Sequence, residues 1–191
     1  PVDETQNVLP EILCVIQVAL EGAISQKSAR ATLAAGLSPQ GDLIPWTMAS
    51  QFQDEGFPSF TGVRIVRIAV HPDLPRQGYG SRAIQLIHDY YEGKLTDLRE
   101  DAEDIDVKTN TKHWQETGKL TEETLKPRED LPPLLTNLSE RKPENVNWIG
   151  TSFGLTPELY SYWSKGGYKP VYLRQTASET TGEHTCIMLR P

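Results

Sequence analysis

Apolar positions along the chain follow two rhythms. Residues 63 to 70, VRIVRIAV, form a short dense run. Val63, Ile65, Ile68 and Val70 cannot share one face at a strict period of two, so the run predicts a strand buried on both faces of a sheet. From Gly80 to Glu92 the apolar residues Ala83, Ile84, Leu86, Ile87, Tyr90 and Tyr91 recur at helical spacing, and Gly93 predicts the helix end. Residues 10 to 21, PEILCVIQVALE, carry a wide stripe of Ile12, Val15, Ile16, Ala19 and Leu20. With Pro10 in a first turn and Gly22 past the end, that stripe predicts a helix. Residues 25 to 35, SQKSARATLAA, predict a shorter helix capped by Ser25 and stopped by Gly36. Residues 42 to 48 predict a short strand interrupted at Pro45, and residues 50 to 62 a loop.

The pattern breaks between 94 and 145. That stretch is charged, contains Pro127, Pro132, Pro133 and Pro143, and lacks sustained periodicity, so it predicts an insertion on the surface or partly disordered. Regularity returns with a strand at 147 to 153. A helix follows, capped by Thr156, with Pro157 in its first turn, Glu158 adding favourable charge there and Gly166-Gly167 ending it. Residues 168 to 176 and 184 to 190 predict two more strands around a polar loop. The order helix, helix, strand, strand, helix, insertion, strand, helix, strand, strand defines a mixed α/β class, and no internal repeat is present.

The totals narrow this only slightly. The 191 residues suit one good core or two small ones, with 8% aromatic content to fill them. There is no run of 18 apolar residues, and no membrane is expected as a partner. Pro1-Val2-Asp3-Glu4 has no start methionine, basic stretch or apolar run, so it reads as the cut end of a domain from a longer protein. Cys14 and Cys186 lack metal-ligand spacing and predict buried thiols in a reducing compartment, with no metal site. The net charge of −7 argues against a stand-alone nucleic-acid-binding domain. Residues 94 to 145 hold 13 of the 26 acidic and 9 of the 19 basic residues, so about half of the excess lies in that segment.

Chemistry concentrates at residues 71 to 81. Gly78-Tyr79-Gly80 lacks the third glycine of a dinucleotide fingerprint, since Arg82 and Ala83 stand there, and no Gly-Lys-Ser/Thr follows as in a P-loop. A bare G-x-G also fits a plain tight turn from strand to helix. Here, though, a buried strand ends at Val70, a Pro- and Gly-rich loop follows, and a helix opens at Gly80-Ser81. Such a helix end presents unpaired N–H groups and a positive dipole, and the glycines remove side chains that would hold a diphosphate away.

The strand, turn and helix together resemble motif A of the GNAT acetyltransferase fold, whose turn reads Arg/Gln-x-x-Gly-x-Gly/Ala. "YSYWSKGGYKPVY" resembles that fold's last helix-to-strand turn. "RIAVHP", "GYGSRA", "DLIPW", "GLTPEL", "VYLRQT" and "TGEHTCIML" resemble the RNA cytidine acetyltransferases, which form N4-acetylcytidine in rRNA and tRNA. The likeness covers nearly the whole chain apart from much of 94 to 145. It implies a single GNAT-like domain of a larger protein, with a mixed central sheet flanked by helices. It implies acetyl-CoA as cosubstrate, with ATP used only by a helicase-like module outside these residues. It also implies rRNA and tRNA substrates held mainly by other domains, ribosome-assembly proteins as partners, a role in small-subunit biogenesis, and a nuclear, nucleolar location.

The same resemblance implies where acetyl-CoA lies. Its diphosphate would rest on Pro75, Arg76, Gln77, Gly78, Tyr79, Gly80 and Ser81, its pantetheine arm along Ile68, Ala69 and Val70, and Arg174 would join the site. Two positions depart from the family pattern. Pro75 stands where Arg or Gln opens the turn, and Trp163 stands where many GNAT enzymes carry a tyrosine that protonates the leaving thiolate. Cytosine N4 is a poor nucleophile, so a base must take a proton as the new bond forms. His71 and His184 are candidates for it, each with a purely structural reading beside it. Glu158 reads as a helix-end charge and Tyr160 and Tyr162 as packing, which leaves the catalytic residues open. A GNAT enzyme acting on protein amines, or a non-catalytic acetyl-CoA-binding module of a ribonucleoprotein, are the alternatives.

Overall fold

The computed structural model describes residues 11–37, 39–95 and 135–191. The chain divides into two units, Pro1–His88 with Glu144–Pro191, and Asp89–Pro143. Within the second unit, Tyr90 donates through its hydroxyl to the Lys142 carbonyl, and Asn137 and Glu140 form a reciprocal cap on a short 3-10 turn. The predicted insertion falls mostly on 96–134, outside the described residues.

The first unit is built on a sheet in the order β1-β2-β3-β5-β4. These strands are β1 (Cys14–Gly22), β2 (Thr61–Val70), β3 (Trp148–Gly154), β4 (Lys169–Leu173) and β5 (Thr185–Arg190). β2 and β3 run parallel; the other neighbours are antiparallel. The helix expected over 10 to 21 is therefore corrected to strand β1. Its stripe of Ile12, Val15, Ile16, Ala19 and Leu20 fits a helix, but Cys14, Ile16, Val18 and Leu20 also alternate onto one face of a strand. Local periodicity cannot decide such a case. Pairing with β2 along the whole of β1 does decide it.

The helices are α1 (Gln26–Ala34), α2 (Leu43–Phe52), α3 (Tyr79–Tyr91) and α4 (Pro157–Lys165). The caps expected for α1 and α4 form: Ser25 Oγ accepts from the Ser28 N–H, and Thr156 Oγ1 from the Leu159 N–H. Over 42 to 48 the expected strand is instead the start of α2. Pro45 sits in the first turn, where a helix needs no N–H donor, so it starts the helix rather than interrupting a strand. The Glu21 carboxylate, 4% exposed, accepts from the Ile44 N–H at 3.0 Å and from Arg64 Nε at 2.5 Å. That pair ties β1, β2 and the N-terminus of α2 together. The loop expected over 50 to 62 is shorter than read, since α2 runs to Phe52 and β2 begins at Thr61.

A second correction concerns β2. Leu20 pairs with Val63, Val18 with Ile65, Ile16 with Ile68 and Cys14 with Val70. The register slips between Gln17 and Val18, so Val66 has no partner on β1. This bulge resets the alternation. Val63, Ile65, Ile68 and Val70 consequently share one face after all, rather than dividing between two.

That face carries α3 and α4. Trp163 of α4 stacks on Phe153 of β3 and meets Tyr168 edge-on, and His88 of α3 lies buried between the Tyr168 hydroxyl and the Arg190 guanidinium. The opposite face carries α2, whose Ile44 and Met48 pack on Trp148 and Ile187. Gly62 makes room for the Trp148 indole, because a Cβ there would lie 2.0 Å from the ring. We expect Gly62→Val to lower stability by at least about 2 kcal/mol, within the range for overpacked cores. A urea denaturation midpoint equal to that of the wild type would show that the indole does not lie on the sheet.

Candidate active site

The pairing of β2 with β3 covers only Gly62 to Ile65 against Trp148 to Thr151. Beyond it, β2 continues to Val70 along β1, and β3 continues to Gly154 along β5. The strands part where the Val66 bulge turns β2 aside. Thr151 Oγ1 donates to the Ile65 carbonyl at 3.5 Å, at the last paired position. Past that point, among the described residues, no pairing joins residues 66–70 to residues 152–154. Two backbone edges face an open gap.

The turn expected to hold a diphosphate stands at the mouth of this gap. His71 donates its N–H to the Leu13 carbonyl, and Leu74 donates back to the His71 carbonyl. Arg76 adopts a left-handed φ of 61° and Gly78 a φ of 89°. For Arg76 such a conformation costs on the order of 1 kcal/mol, which the surrounding turn must hold in place. The first helical bond runs from the Arg82 N–H to the Gly78 carbonyl. Helix geometry therefore leaves the N–H groups of Tyr79, Gly80 and Ser81 without an intrahelical acceptor. A Cβ on Gly78 would meet nothing within 4 Å, so the space above it is open. A Cβ on Gly80 would lie 3.4 Å from Val70 Cγ2 and 3.8 Å from Ile68 Cδ1, which places Gly80 directly over the open half of β2.

The structure thus gathers Ile68, Val70, Pro75, Arg76, Gln77, Gly78, Tyr79, Gly80 and Ser81 at one end of the sheet. Ala69 lies on the same open edge with its side chain on the other face. Arg174 follows β4, and its described contacts lie elsewhere: its N–H donates to the Thr185 carbonyl, and its own carbonyl accepts from His184 Nδ1 at 2.9 Å. His71 is engaged in its own turn, where Nδ1 accepts from the Asp73 N–H at 3.3 Å.

Two residues that the sequence reading set aside or did not weigh belong here. Trp163 is core, 4% exposed, but Tyr162 beside it turns toward the site. Its hydroxyl would stand 3.1 Å from a Cβ on Gly80. Burial raises the Tyr162 pKa above the ordinary phenol value, nearby Cys14 raises it further, and a hydrogen bond with Ser81 pulls it back. Burial also raises the Cys14 thiol. No local signal predicts this contact, since Ser81 and Tyr162 lie far apart in the sequence. The other residue is Glu183, whose carboxylate lies against Gly154 at the end of β3. Its nearest signal is the Thr181-Gly182-Glu183-His184 turn.

A mixed sheet that parts between two parallel strands, with a glycine-opened helix end over the parting, is the architecture of a GNAT-class acyltransferase. The chain belongs to the GNAT acetyltransferase 2 family, whose model matches residues 1–191. It is 52% identical over 190 residues to the RNA cytidine acetyltransferase of Mus musculus, covering 100% of this chain and 18% of that protein. It is 50% identical over 185 residues to that of Saccharomyces cerevisiae, covering 95% and 18%, and 50% identical over 181 residues to that of Achlya ambisexualis, covering 95% and 48%. The chain thus spans about a fifth of the mouse and yeast relatives' length. A solved structure, Ard1 from Thermoplasma volcanium, aligns over 91% of this chain and 96% of its own at 9% identity with a TM-score of 0.37, a similarity too slight to bear on fold or function.

The Tyr162 environment gives a direct test. Because the Ser81 hydrogen bond lowers the phenol's pKa, Ser81→Ala should move the Tyr162 titration further upward. Tyrosine ring-carbon NMR across alkaline pH reads this, and a downward or absent shift would place the two side chains apart.

Proposed function

We propose that this chain is the acetyl-transfer domain of an RNA cytidine acetyltransferase, acting on N4 of cytidine in rRNA and tRNA. The gap between β2 and β3, with the N-terminus of α3 at its mouth, carries this reading. Relatives about half identical over the whole chain bear that name and support the choice of acceptor.

The residues present fit acetyl-CoA. The N–H groups of Tyr79, Gly80 and Ser81 and the guanidinium of Arg76 would hold the diphosphate, with the open space over Gly78 leaving it room. Pro75 has no N–H to give, so Arg76 supplies the charge at the start of the turn. The unpaired edge from Arg67 to Val70 would bond the pantetheine amides as an added strand. Acetyl-CoA supplies the activated acetyl thioester. An N–H on that edge, at Ile68, Ala69 or Val70, would stabilise the developing oxyanion. Arg174 would reach the cofactor from the β4 side. Tyr162 keeps its proton at neutral pH and stands beside the turn, so it can give that proton to a departing thiolate.

The acidic balance of the chain suits a division of labour. Phosphate contacts supply most non-specific RNA affinity, and a chain of net charge −7 is poorly suited to make them. The remaining parts of the longer protein would grip the RNA, while this domain receives one base taken out of its stack. Ribosome-assembly factors as partners and a nucleolar location follow from the rRNA substrate.

Gly80→Glu should weaken acetyl-CoA binding by at least about 2 kcal/mol, the scale of an opposed charge at a close contact. Calorimetry reads the loss, and circular dichroism should remain native; unchanged affinity would remove the diphosphate from this turn. Given acetyl-CoA and either a cytidine-containing RNA or a lysine-rich peptide, the intact protein should yield N4-acetylcytidine by mass spectrometry. Acetyl-lysine in its place would assign the site to protein amines.

A further inference from the structure

The face of the sheet away from α3 holds a carboxylate at the end of the same gap. Gly150, Ser152 and Gly154 alternate onto the face that carries α2: a Cβ on Gly150 would lie 2.7 Å from Ile44, whereas Phe153, pointing the other way, stacks on Trp163. A Cβ on Gly154 would lie 2.4 and 3.0 Å from the two carboxylate oxygens of Glu183. The carboxylate therefore rests on the bare backbone of Gly154, at the end of the open part of β3. The β4–β5 loop holds it there. The Ser178 N–H donates to the Glu183 carbonyl at 2.9 Å, the Leu155 N–H to the His184 carbonyl at 2.8 Å, and Gly182 adopts a φ of 70° to close the turn. Glu183 itself is exposed to solvent.

We propose that Glu183 accepts the proton of the acceptor amine, from the side of the sheet opposite the N-terminus of α3. The proposal rests on the acetyl-transfer reading above and deepens it. A thioester held along Ile68 to Val70, beneath Gly80, is reached most directly by an acceptor entering the gap from the α2 face, past Gly154. As the amine nitrogen bonds the acetyl carbon, the thioester C–S bond breaks and its electron pair leaves on sulfur. One N–H proton passes to Glu183, which returns it to solvent. The chemistry matches the acceptor. Cytosine N4 is neutral and becomes acidic only as its lone pair is drawn into the new bond, so a carboxylate is basic enough to take the proton at that moment.

In the intact protein, Glu183→Gln should slow single-turnover transfer to a cytidine-containing RNA by about 100-fold, the low end for loss of a general base. Affinity for acetyl-CoA and the melting temperature should stay as in the wild type. Gly154→Ala should give the same loss with Glu183 still present, because the new methyl group meets only the end of a flexible side chain and displaces it. Added formate should restore activity to Glu183→Ala and leave the wild type unaffected, which a purely structural role would not produce. Wild-type transfer rates in Glu183→Gln and Gly154→Ala, or no rescue by formate, would overturn the proposal. Should the wild type acetylate a lysine-rich peptide and not RNA, the choice of acceptor fails alone, and the same variants assayed on the peptide decide the role of Glu183.

Discussion

Everything about the site depends on one missing partnership, that of Val66. Up to Ile65, β2 is an interior strand bonded on both sides. At Val66 the register with β1 slips, and from there the pairing with β3 is gone. A backbone that has lost its neighbour on one side must find other acceptors and donors or stay open to solvent. The same bulge keeps Ile68 and Val70 on the side of α3, so the open edge acquires an apolar wall under Gly80. The gap and its lining arise together from one unpaired residue.

The other half of the sheet is braced against such opening. Glu21 joins Arg64 to the first turn of α2, at positions where β1, β2 and β3 are all paired. Removing one member of a buried charge pair of this kind typically costs about 3–5 kcal/mol, since the partner is left without compensation. Gly62 and Gly150 let Trp148 lie against the backbone there, with Phe57 stacked upon it. The buried Glu21–Arg64 pair and the Phe57–Trp148 stack thus sit in the paired half, while past Ile65 and Thr151 the two facing strand edges carry unpaired peptide groups. One half holds the frame so that the other can remain incomplete.

What the sequence disclosed follows the reach of each interaction. The α4 helix was legible because its cap, first-turn proline and terminal glycines all lie within a dozen residues. The 71–81 turn was legible for the same reason. The β1 strand was not, because its apolar residues satisfy two periods and only β2 chooses between them. For α2, Pro45 was read as a break when its place in the first turn makes it a start. The shared face of Val63, Ile65, Ile68 and Val70 was hidden by a bulge that leaves no mark in composition. Tyr162 reads as packing and Glu183 draws no role from the sequence because each meets a glycine from a distant part of the chain, Gly80 and Gly154, and a glycine does not announce what will lie on it.

The reset at Val66 also governs what kind of change this strand can absorb. Between Val63 and Val70 the identity of a residue matters less than the count. An exchange of one aliphatic for another keeps the same face toward α3 and usually costs under about 1.5 kcal/mol. Loss of Val66 would return β2 to simple alternation with Ile68 and Val70 still on the face toward α3, and would offer β3 a flat edge to pair with. The gap would then heal into ordinary sheet. Over these eight positions the chain can be respelled with some freedom, but it cannot be shortened by one.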